Sequence, residues 1–295
     1  MSNADGAAKP TIERTVKVAE GAGVCFGVKR ALRLAEEALV AGTTVYGLGP
    51  LIHNPQEVGR LTEKGFQVIE TLDEADEGAT LLIRSHGVSP DVVAEAKRRG
   101  HRIIDATCPL VRRVQTLATG LEQEGYQVIV AGDAAHPEVR AIQGHAPRAV
   151  VVSAPEAVAG LQPADRVALV AQTTFSPEVF RQMAAALVQR PFGEVRVVQT
   201  ICTATVARQR AAAELADRAD VMVVIGGRNS ANTNRLAEHC AGHGVPTHHV
   251  EVAEEVRPEW LAGRPRVGVT AGASTPQWII DAVCERIRLL QSRMG

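Results

Sequence analysis

HRIIDATCPLVRRVQTLATGLEQEGYQVIVAGD, residues 101–133, is the segment that sets the fold class. An apolar run ends at Thr107, a helical pattern begins after Cys108, and a second apolar run ends at Asp133. A strand, a helix and a strand in this order form a βαβ unit, from which parallel sheets are built. Because α/β proteins place chemistry where a strand passes into a helix, Cys108 lies at a candidate functional position.

Two more cysteines occupy junctions of the same kind. Cys25 follows TVKVAEGAGV, Cys202 follows EVRVVQTI, and each precedes a helical pattern. The three cysteines are almost evenly spaced, by 83 residues (108 minus 25) and then by 94 residues (202 minus 108). Unpaired backbone N–H groups in a first helical turn favour an anion, so we expect lowered thiol pKa values. Three thiolates at equivalent points of three similar units predict one ligand shared at a centre.

Polar residues repeat along the chain in step with the cysteines, which is a weak internal repeat. Each unit has one polar residue 28 positions after its cysteine (53 minus 25, 136 minus 108 and 230 minus 202) and another further on. Parallel strands end at one face of their sheet, so three such faces turned inward would surround one cavity. Polar residues after strands are common in α/β proteins, whereas three thiols with matching offsets are not. The repeated residues are His53, His86, His136, Thr173, Ser230 and Ser274.

The whole chain alternates short β-like runs with amphipathic helical patterns, which predicts an α/β fold with mostly parallel sheets. At 295 residues it is too long for one small core. We expect a disordered tail at 1–14 and α/β lobes at 15–107, 108–201 and 202–295, with the N-terminal strand a candidate member of the third lobe. The strand candidates are 44–52, 80–85, 101–107, 127–133, 167–173, 194–200, 221–227 and 266–272.

Composition and charge limit the kinds of molecule that this protein is expected to bind. The formal net charge is −1, which gives no field over the whole chain for nucleic acid or a membrane surface. The first residues, MSNADGAAKP, lack the pattern of a signal peptide, and no apolar run reaches transmembrane length. We therefore predict a cytoplasmic protein with a small-molecule substrate, whose cysteines are thiols or metal ligands and not disulfides.

The spacing of the cysteines limits the metal chemistry. No C-x-x-C pair occurs, which excludes the usual zinc ribbon or ferredoxin pattern. Three distant cysteines that converge fit an iron–sulfur cluster in which one iron lacks a protein ligand and can act as a Lewis acid. A zinc site with three cysteines and an open position fits the spacing as well.

The other two cysteines, Cys240 and Cys284, lie inside helical patterns. A buried helical cysteine usually acts as a small hydrophobic residue, and we expect this of both. His239, Cys240 and His243 have helical spacing and resemble a metal-binding trio, but they occur in a polar stretch that ends at Gly244. We interpret that stretch as a solvated helix end.

Three loops place histidines at the starts of helices. His53 precedes Asn-Pro, and proline is favoured in a first helical turn. His86 precedes Gly87, which frees the backbone for close approach. His136 and Glu138 flank a proline, so the histidine can donate a hydrogen bond and the glutamate can act as a general acid. A first-turn carboxylate favoured by the helix dipole is the alternative for Glu138.

Loops rich in hydroxyl and amide groups are candidates for binding an anion. GGRNSANTNRL contains Ser230 and Asn232, TAGASTPQW contains Ser274, and AQTTFSPEV contains Thr173. Backbone N–H groups at helix starts bind phosphate together with such side chains, although no Walker loop occurs. Helix capping is the alternative role. Neutral histidines and hydroxyl groups suit a diphosphate better than a carboxylate, because a diphosphate has more acceptor oxygens.

Together these loops resemble the LytB/IspH family of 4-hydroxy-3-methylbut-2-enyl diphosphate reductases. The resemblance runs from about Val24 to Trp278, nearly the whole chain, and the order and spacing of its motifs make it specific. The matching segments are GVCFGVKRA, IHNPQEV, SHGVS, DATCPLV, HPEV, QTTFS, TICTAT, GGRNSANTNRL and TAGAS.

The resemblance implies three similar lobes in a pseudo-threefold arrangement around a central cluster and cavity. It implies a [4Fe–4S] cluster held by Cys25, Cys108 and Cys202, with one iron left for the substrate. It also implies that Glu138 delivers a proton, with Thr173 beside it and His136 as a third catalytic residue. The implied diphosphate-binding residues are His53, His86, His136, Thr173, Ser230, Asn232 and Ser274.

The implied reaction removes a hydroxyl group with two electrons and two protons, as the last step of the non-mevalonate isoprenoid pathway. It implies a ferredoxin or a flavodoxin as electron donor. Ala231 departs from the family, which commonly has a second serine there, and the lost hydroxyl could weaken diphosphate binding by about 1 kcal/mol. An iron–sulfur hydro-lyase, a cluster-bearing sensor and a structural zinc protein are the alternatives.

Overall fold

The computed structural model describes residues 13–39, 44–162 and 164–294. Most of the predicted tail, 1–12, therefore lies outside the described residues. The strands are β1 (Thr15–Val18), β2 (Val45–Leu48), β3 (Phe66–Ile69), β4 (Thr80–Ile83), β5 (Arg102–Asp105), β6 (Gln127–Ala131), β7 (Val150–Val152), β8 (Arg166–Ala171), β9 (Glu194–Val197), β10 (Val221–Ile225), β11 (Thr247–Val250) and β12 (Arg266–Ala271). The α-helices are α1 (Phe26–Leu39), α2 (Pro55–Thr62), α3 (Pro90–Arg98), α4 (Pro109–Gln123), α5 (Pro137–His145), α6 (Pro177–Val188), α7 (Thr203–Ala216), α8 (Ala231–Gly242) and α9 (Gln277–Arg293).

The described strands form three parallel sheets of four strands each. Their orders are β3-β2-β4-β5, β7-β6-β8-β9 and β11-β10-β12-β1, which is one connection pattern used three times. The third sheet obtains its fourth strand from the start of the chain, since Thr15 pairs with Arg266 and Val18 pairs with Val269. The predicted α/β fold with three similar parallel lobes is confirmed. The lobe boundaries after residues 107 and 201 stay a prediction.

Three strands were not predicted from the sequence, and they are structurally equivalent. β3, β7 and β11 are each the outer edge strand of a sheet and have three or four residues. β3 and β11 mix polar with apolar residues and β7 has only three residues, so none of them shows the long apolar run of a buried strand. The contrast is plain between β3, whose two middle residues are exposed, and β10, which is buried throughout.

Helices cover the sheets, and α4 shows how an apolar stripe packs there. In α4 the residues Val114, Ala118 and Leu121 are buried against the second sheet, at the spacing of one helical face. Burying a side chain such as Leu121 contributes about 1.5–3 kcal/mol. This packing fixes the first turn of α4, and therefore the adjacent Cys108, relative to the sheet. Among the described helices, none has both the length and the hydrophobicity needed to cross a membrane.

The three junction cysteines have equivalent positions in the fold. Each follows the last strand in the order of its sheet, β1, β5 or β9, and precedes α1, α4 or α7. The amide of each cysteine donates a hydrogen bond to the loop that follows the neighbouring strand, so the three sites are built in the same way. The pairs are Cys25 N to Ala273 O at 3.1 Å, Cys108 N to Ser85 O at 3.0 Å, and Cys202 N to Thr173 O at 2.8 Å.

Candidate active site

A cavity lies where the carboxyl ends of the three sheets meet, with about 740 Å³ of space including its open mouth. Every site residue predicted from the sequence lines it, so the structure brings all of them together. Residues far apart in the chain reach this cavity because each lies at a strand end or a helix start. These residues are Cys25, His53, His86, Cys108, His136, Glu138, Thr173, Cys202, Ser230, Asn232 and Ser274.

The three thiols occupy one end of the cavity and are half-buried. Gly27 contacts Cys108, because a Cβ atom on Gly27 would lie 2.6 Å from the sulfur of Cys108. Burial raises the pKa of Cys108, and the nearby Cys25 and Cys202 raise it further, although two backbone N–H groups of α4 lower it. The expected lowering of the thiol pKa is therefore wrong for Cys108, since desolvation exceeds the effect of the helix start. Binding of a metal would have to displace that proton.

Arg208 lies beside the thiols and was missed in the sequence. It is buried, and its guanidinium donates hydrogen bonds to the carbonyl groups of Gly21 at 3.0 Å and Gly23 at 2.8 Å. Its third nitrogen, Nη1, is buried with no hydrogen-bond partner among the described residues. Burial lowers the pKa of Arg208, while the charges of Cys25 and Cys202 raise it. The available signal was its place on the buried stripe of α7, which is otherwise made of Thr205, Ala212 and Ala216.

Three histidines form the other end of the cavity. The ring centroids of His53 and His86 are 4.8 Å apart, those of His86 and His136 are 5.3 Å apart, and the third pair is 5.7 Å apart. Burial lowers the pKa of His53, lowers that of His86 well below its usual value, and brings that of His136 to about 4. All three imidazoles are therefore neutral at neutral pH, each with one N–H to donate.

Several buried polar atoms in this part of the cavity have no partner within the described residues. They are Nε2 of His53, Nδ1 of His86 and Nδ2 of Asn232. Nδ1 of His136 accepts a hydrogen bond from the amide of Glu138 at 3.1 Å, which leaves the Nε2–H of His136 free to donate. Each unmade hydrogen bond of a buried group costs about 1–3 kcal/mol, so this arrangement fits a ligand that has several acceptor oxygens.

Arg84 is a second residue that sequence analysis missed. Its positive charge lowers the pKa of His53, His86 and His136 in addition to the effect of burial. The guanidinium is itself partly buried, and its Nε has no hydrogen-bond partner among the described residues. The sequence signal that could have identified Arg84 is its position directly after the apolar strand β4. Arg84 is not part of the cavity lining, but its charge would favour an anion bound beside these histidines without any excess of charge on the whole chain.

Ser230 can serve both as a helix cap and as a ligand-binding residue, the two roles that the sequence suggested for it. Its hydroxyl oxygen caps α8 by accepting a hydrogen bond from the amide of Thr233 at 3.3 Å. The hydroxyl proton is not used in that bond, and Ser230 lines the cavity. A capping serine can therefore also donate to a ligand.

Glu138 and Thr173 form a buried pair with one hydrogen bond to the histidines and one to the cysteines, since the amide of Glu138 donates to His136 and the carbonyl oxygen of Thr173 accepts from Cys202. Glu138 is 1% exposed and accepts hydrogen bonds from the amide of Thr173 at 2.6 Å and from its hydroxyl at 2.8 Å. Burial raises the pKa of Glu138 to about 7, although both bonds from Thr173 lower it. Glu138 is thus poised to hold and release a proton at neutral pH.

Arg235, which also was not predicted, ties the third lobe to this pair. Its guanidinium donates to the carbonyl oxygen of Thr174 at 2.7 Å and lies 5.1 Å from the ring of Phe175. This holds the loop after β8, which carries Thr173, against α8. The arrangement of the proton-holding pair therefore depends on contacts between lobes.

The remaining cysteines lie elsewhere. Cys240 and Cys284 are buried in two hydrophobic cores, which confirms their expected role as small hydrophobic residues. Nδ1 of His243 lies 2.8 Å from a carboxylate oxygen of Asp217, so that histidine has a hydrogen-bond partner near the helix end. Among the described residues, the histidine, cysteine or carboxyl groups whose ligand atoms lie within 4.8 Å of one another are those of His53, His86 and His136. This group includes neither His239 nor the three cavity cysteines.

Comparison with known proteins agrees with this geometry. The curated 4-hydroxy-3-methylbut-2-enyl diphosphate reductase of Citrifermentans bemidjiense is 48% identical over 273 residues, which cover 92% of this chain and 96% of that protein. The protein of the same name from Aquifex aeolicus is 44% identical over 279 residues, which cover 92% of this chain and 95% of that protein.

Solved structures show the same fold. A structure of (E)-4-hydroxy-3-methyl-but-2-enyl diphosphate reductase, described as the terminal enzyme of the non-mevalonate pathway, is 43% identical with a TM-score of 0.71 and covers 94% of this chain and 99% of its own. The corresponding Plasmodium falciparum structure is 27% identical with a TM-score of 0.87 and covers 94% and 88%. The sequence model of the family described as LytB protein matches residues 16–288, which include all three cysteines and every cavity loop. With its lobes, cavity and sequence in agreement, this chain belongs to the LytB family.

Proposed function

We propose that this chain is an oxidoreductase that converts 4-hydroxy-3-methylbut-2-enyl diphosphate to isopentenyl diphosphate and dimethylallyl diphosphate, the last step of the non-mevalonate isoprenoid pathway. The observation that carries the proposal is one cavity with three thiols at one end and unpartnered nitrogen atoms of His53, His86 and Asn232 at the other. The names of relatives that are 44–48% identical over most of the chain support it.

The reaction balances as a reductive dehydroxylation. One C–O bond breaks, one C–H bond forms, and the hydroxyl group leaves as water after two electrons and two protons have been consumed. Hydroxide is a poor leaving group, so a proton donor and a Lewis acid both favour the step.

We infer that Cys25, Cys108 and Cys202 hold a [4Fe–4S] cluster. The three half-buried thiols share one end of the cavity, and no fourth cysteine lines it among the described residues, so one iron would lack a protein ligand. The buried guanidinium of Arg208 offers an unpartnered N–H next to these thiols, which suits an anionic group bound there. When bound, such a cluster supplies electrons and a Lewis-acidic iron for the hydroxyl group of the substrate.

The diphosphate group is assigned to the histidine end of the cavity. His53, His86 and His136 would donate hydrogen bonds to its oxygens, and their pKa values would rise once the anion lies beside them. The other residues that we propose to bind the substrate are Thr173, Ser230, Asn232 and Ser274. The anchored diphosphate orients the hydroxyl end toward the thiols.

Glu138 is assigned the delivery of the proton. Its pKa of about 7 leaves a large protonated fraction at neutral pH, and its burial keeps water from exchanging that proton freely. Thr173 holds both carboxyl oxygens, and His136 accepts a hydrogen bond from the Glu138 amide, so the two residues position the acid. We further propose a ferredoxin or a flavodoxin as the electron donor and a cytoplasmic location.

The proposal is tested on protein purified and assayed without oxygen. We expect iron and sulfide in equal amounts, and formation of both diphosphate products only when a reductant is supplied. Turnover without an electron source would show a hydro-lyase, and bound zinc without sulfide would show a structural zinc protein. Either result would overturn the proposed reductase.

A further inference from the structure

A groove between α1 and α4 opens on the outside of the molecule next to the thiols. We call it the α1–α4 groove. Its lining includes Arg30, Thr107, Pro109, Arg112, Arg113 and Val198.

The groove adjoins one of the proposed cluster ligands. Thr107 and Pro109 are the two chain neighbours of Cys108, and the Cα atoms of adjacent residues are about 3.8 Å apart. The start of α1 also contacts Cys108 through Gly27. A protein bound in the groove would therefore contact the residues directly before and after Cys108.

The charge of the groove is positive. Arg30 donates hydrogen bonds to the carbonyl oxygens of Asp105 at 3.2 Å and Thr107 at 3.3 Å, and these neutral acceptors leave its charge uncompensated. Arg112 forms an ion pair with the carboxylate of Asp105 at 2.5 Å. Arg113 is exposed and forms no ion pair in the part of the chain that the structure describes. None of the described residues that line the groove is acidic.

A second groove, next to Cys25, shows that proximity to a thiol does not by itself bring positive charge. The charged residues of its lining are two acidic and two basic ones, Glu20, Glu214, Arg208 and Arg210. Arg210 and Glu214 form an ion pair at 2.8 Å, so the charges there nearly cancel. An acidic partner would be attracted to the α1–α4 groove and not to this one.

The first turns of α1 and α4 carry exposed apolar groups that lie outside the lining of the groove. Phe26, directly after Cys25, is 74% exposed, and Leu110, two residues after Cys108, is 40% exposed. Large apolar residues with a charged surround are typical of a protein interface. The two residues follow proposed cluster ligands, so a partner that covered them would lie near the thiols.

We propose that the α1–α4 groove is the docking surface for an acidic protein that carries one electron at a time, and that electrons enter beside Cys108. This rests on the proposed reductase function, which consumes two electrons per turnover. Each docking event oxidises one carrier by one electron, so two successive events balance the removal of one hydroxyl group.

The experiment compares two reductants on the anaerobic holoenzyme. One is a purified acidic ferredoxin kept reduced, with a flavodoxin in a parallel series, and the other is reduced methyl viologen, a small molecule that needs no docking surface. The variants are Arg113→Glu, Thr116→Glu at a second exposed position of the groove, and Arg210→Glu at the other groove as the matched control.

We expect Arg113→Glu and Thr116→Glu to lower kcat/KM for ferredoxin about tenfold or more and to weaken its dependence on salt, because charge complementarity steers association. Turnover with methyl viologen should be unchanged in both, and Arg210→Glu should resemble the unaltered protein with every reductant.

Equal kcat/KM for ferredoxin in all four proteins, or an equal loss in Arg210→Glu, would overturn the docking surface. Loss of turnover with methyl viologen in Arg113→Glu alone would mean that this substitution damages the enzyme itself. The kcat/KM of Thr116→Glu for ferredoxin would then be the test of the docking surface. Absence of viologen-driven turnover in the unaltered protein would overturn the proposed function instead.

Discussion

The histidine end of the cavity and the Glu138–Thr173 pair lie next to each other but respond to burial in opposite ways. Burial lowers the pKa of His136 to about 4 and raises that of Glu138 to about 7, although Pro137 alone separates them in sequence. Desolvation favours the neutral form of both groups. At neutral pH the histidine therefore has no proton to release, whereas the glutamate does. The same physical effect thus makes one region suited to binding an anion and the other to delivering a proton.

Removing the proton donor, Glu138, should have the largest effect, because it abolishes proton delivery and leaves anion binding in place. Glu138→Gln keeps the shape of the side chain but cannot release a proton, so we expect turnover with a chemical reductant to fall about 10²–10⁴-fold. Iron content and substrate affinity should be retained, because the cysteines and histidines are untouched. Turnover close to that of the unaltered protein would show that the proton comes from another group.

Altering the anion site should affect binding more than turnover. His86→Asn removes an imidazole that can become charged beside the diphosphate, and we expect KM to rise about ten- to a hundredfold. In the unaltered protein, binding should take up protons, because the pKa of each histidine starts low and rises beside an anion. Affinity should therefore fall as pH rises.

Calorimetry in two buffers of different ionisation enthalpy measures this proton uptake directly. The uptake should be smaller in His86→Asn than in the unaltered protein. Binding without any proton uptake would contradict the assignment of the diphosphate to the histidines.

A smaller effect should come from the hydroxyl of Thr173. We expect kcat/KM of the unaltered protein to fall above about pH 7, as Glu138 loses its proton. Thr173→Val removes a hydrogen bond that stabilises the carboxylate, so the pKa of Glu138 should rise and this fall should move to higher pH. A neighbouring change, Thr174→Val, should leave it in place. A shift to lower pH in Thr173→Val would contradict the proposed role.

The smallest expected effect concerns Ala231, which lines the cavity next to Ser230. Ala231→Ser would add one donor for the diphosphate, worth about 1 kcal/mol, and should lower KM about fivefold. Ala204→Ser, near the thiols, serves as the control and should leave KM unchanged. An unchanged KM in Ala231→Ser would mean that the backbone amide already satisfies the ligand.

Much of the fold followed from local patterns. The central strands, such as β10, are continuous apolar runs, and their burial on both faces explains why the sequence revealed them. β3, β7 and β11 were not predicted, because β3 and β11 mix polar with apolar residues and β7 has only three residues. β1 was expected as a candidate member of the third lobe, and it pairs with β12 of the third sheet.

The candidate site likewise contains some residues that the sequence revealed and others that it did not. Cysteines, histidines and hydroxyl residues after strands are visible in sequence because they are unusual at those positions. Arg84, Arg208 and Arg235 were missed because arginine is ordinary on a helix or after a strand. Their importance lies in burial and in carbonyl partners, such as Gly21, which is 187 residues away from Arg208.

The linear sequence was sufficient to place the chemical groups at strand ends and helix starts, because apolar periodicity and turn residues are local properties. Only the tertiary structure determined the ionisation states of these groups and their hydrogen-bond partners. The proton on Glu138 depends on desolvation and on Thr173, 35 residues away, and the direction of the Cys108 pKa shift depends on burial and on two other thiols. Such effects are sums over contacts between distant segments, which a linear sequence does not contain.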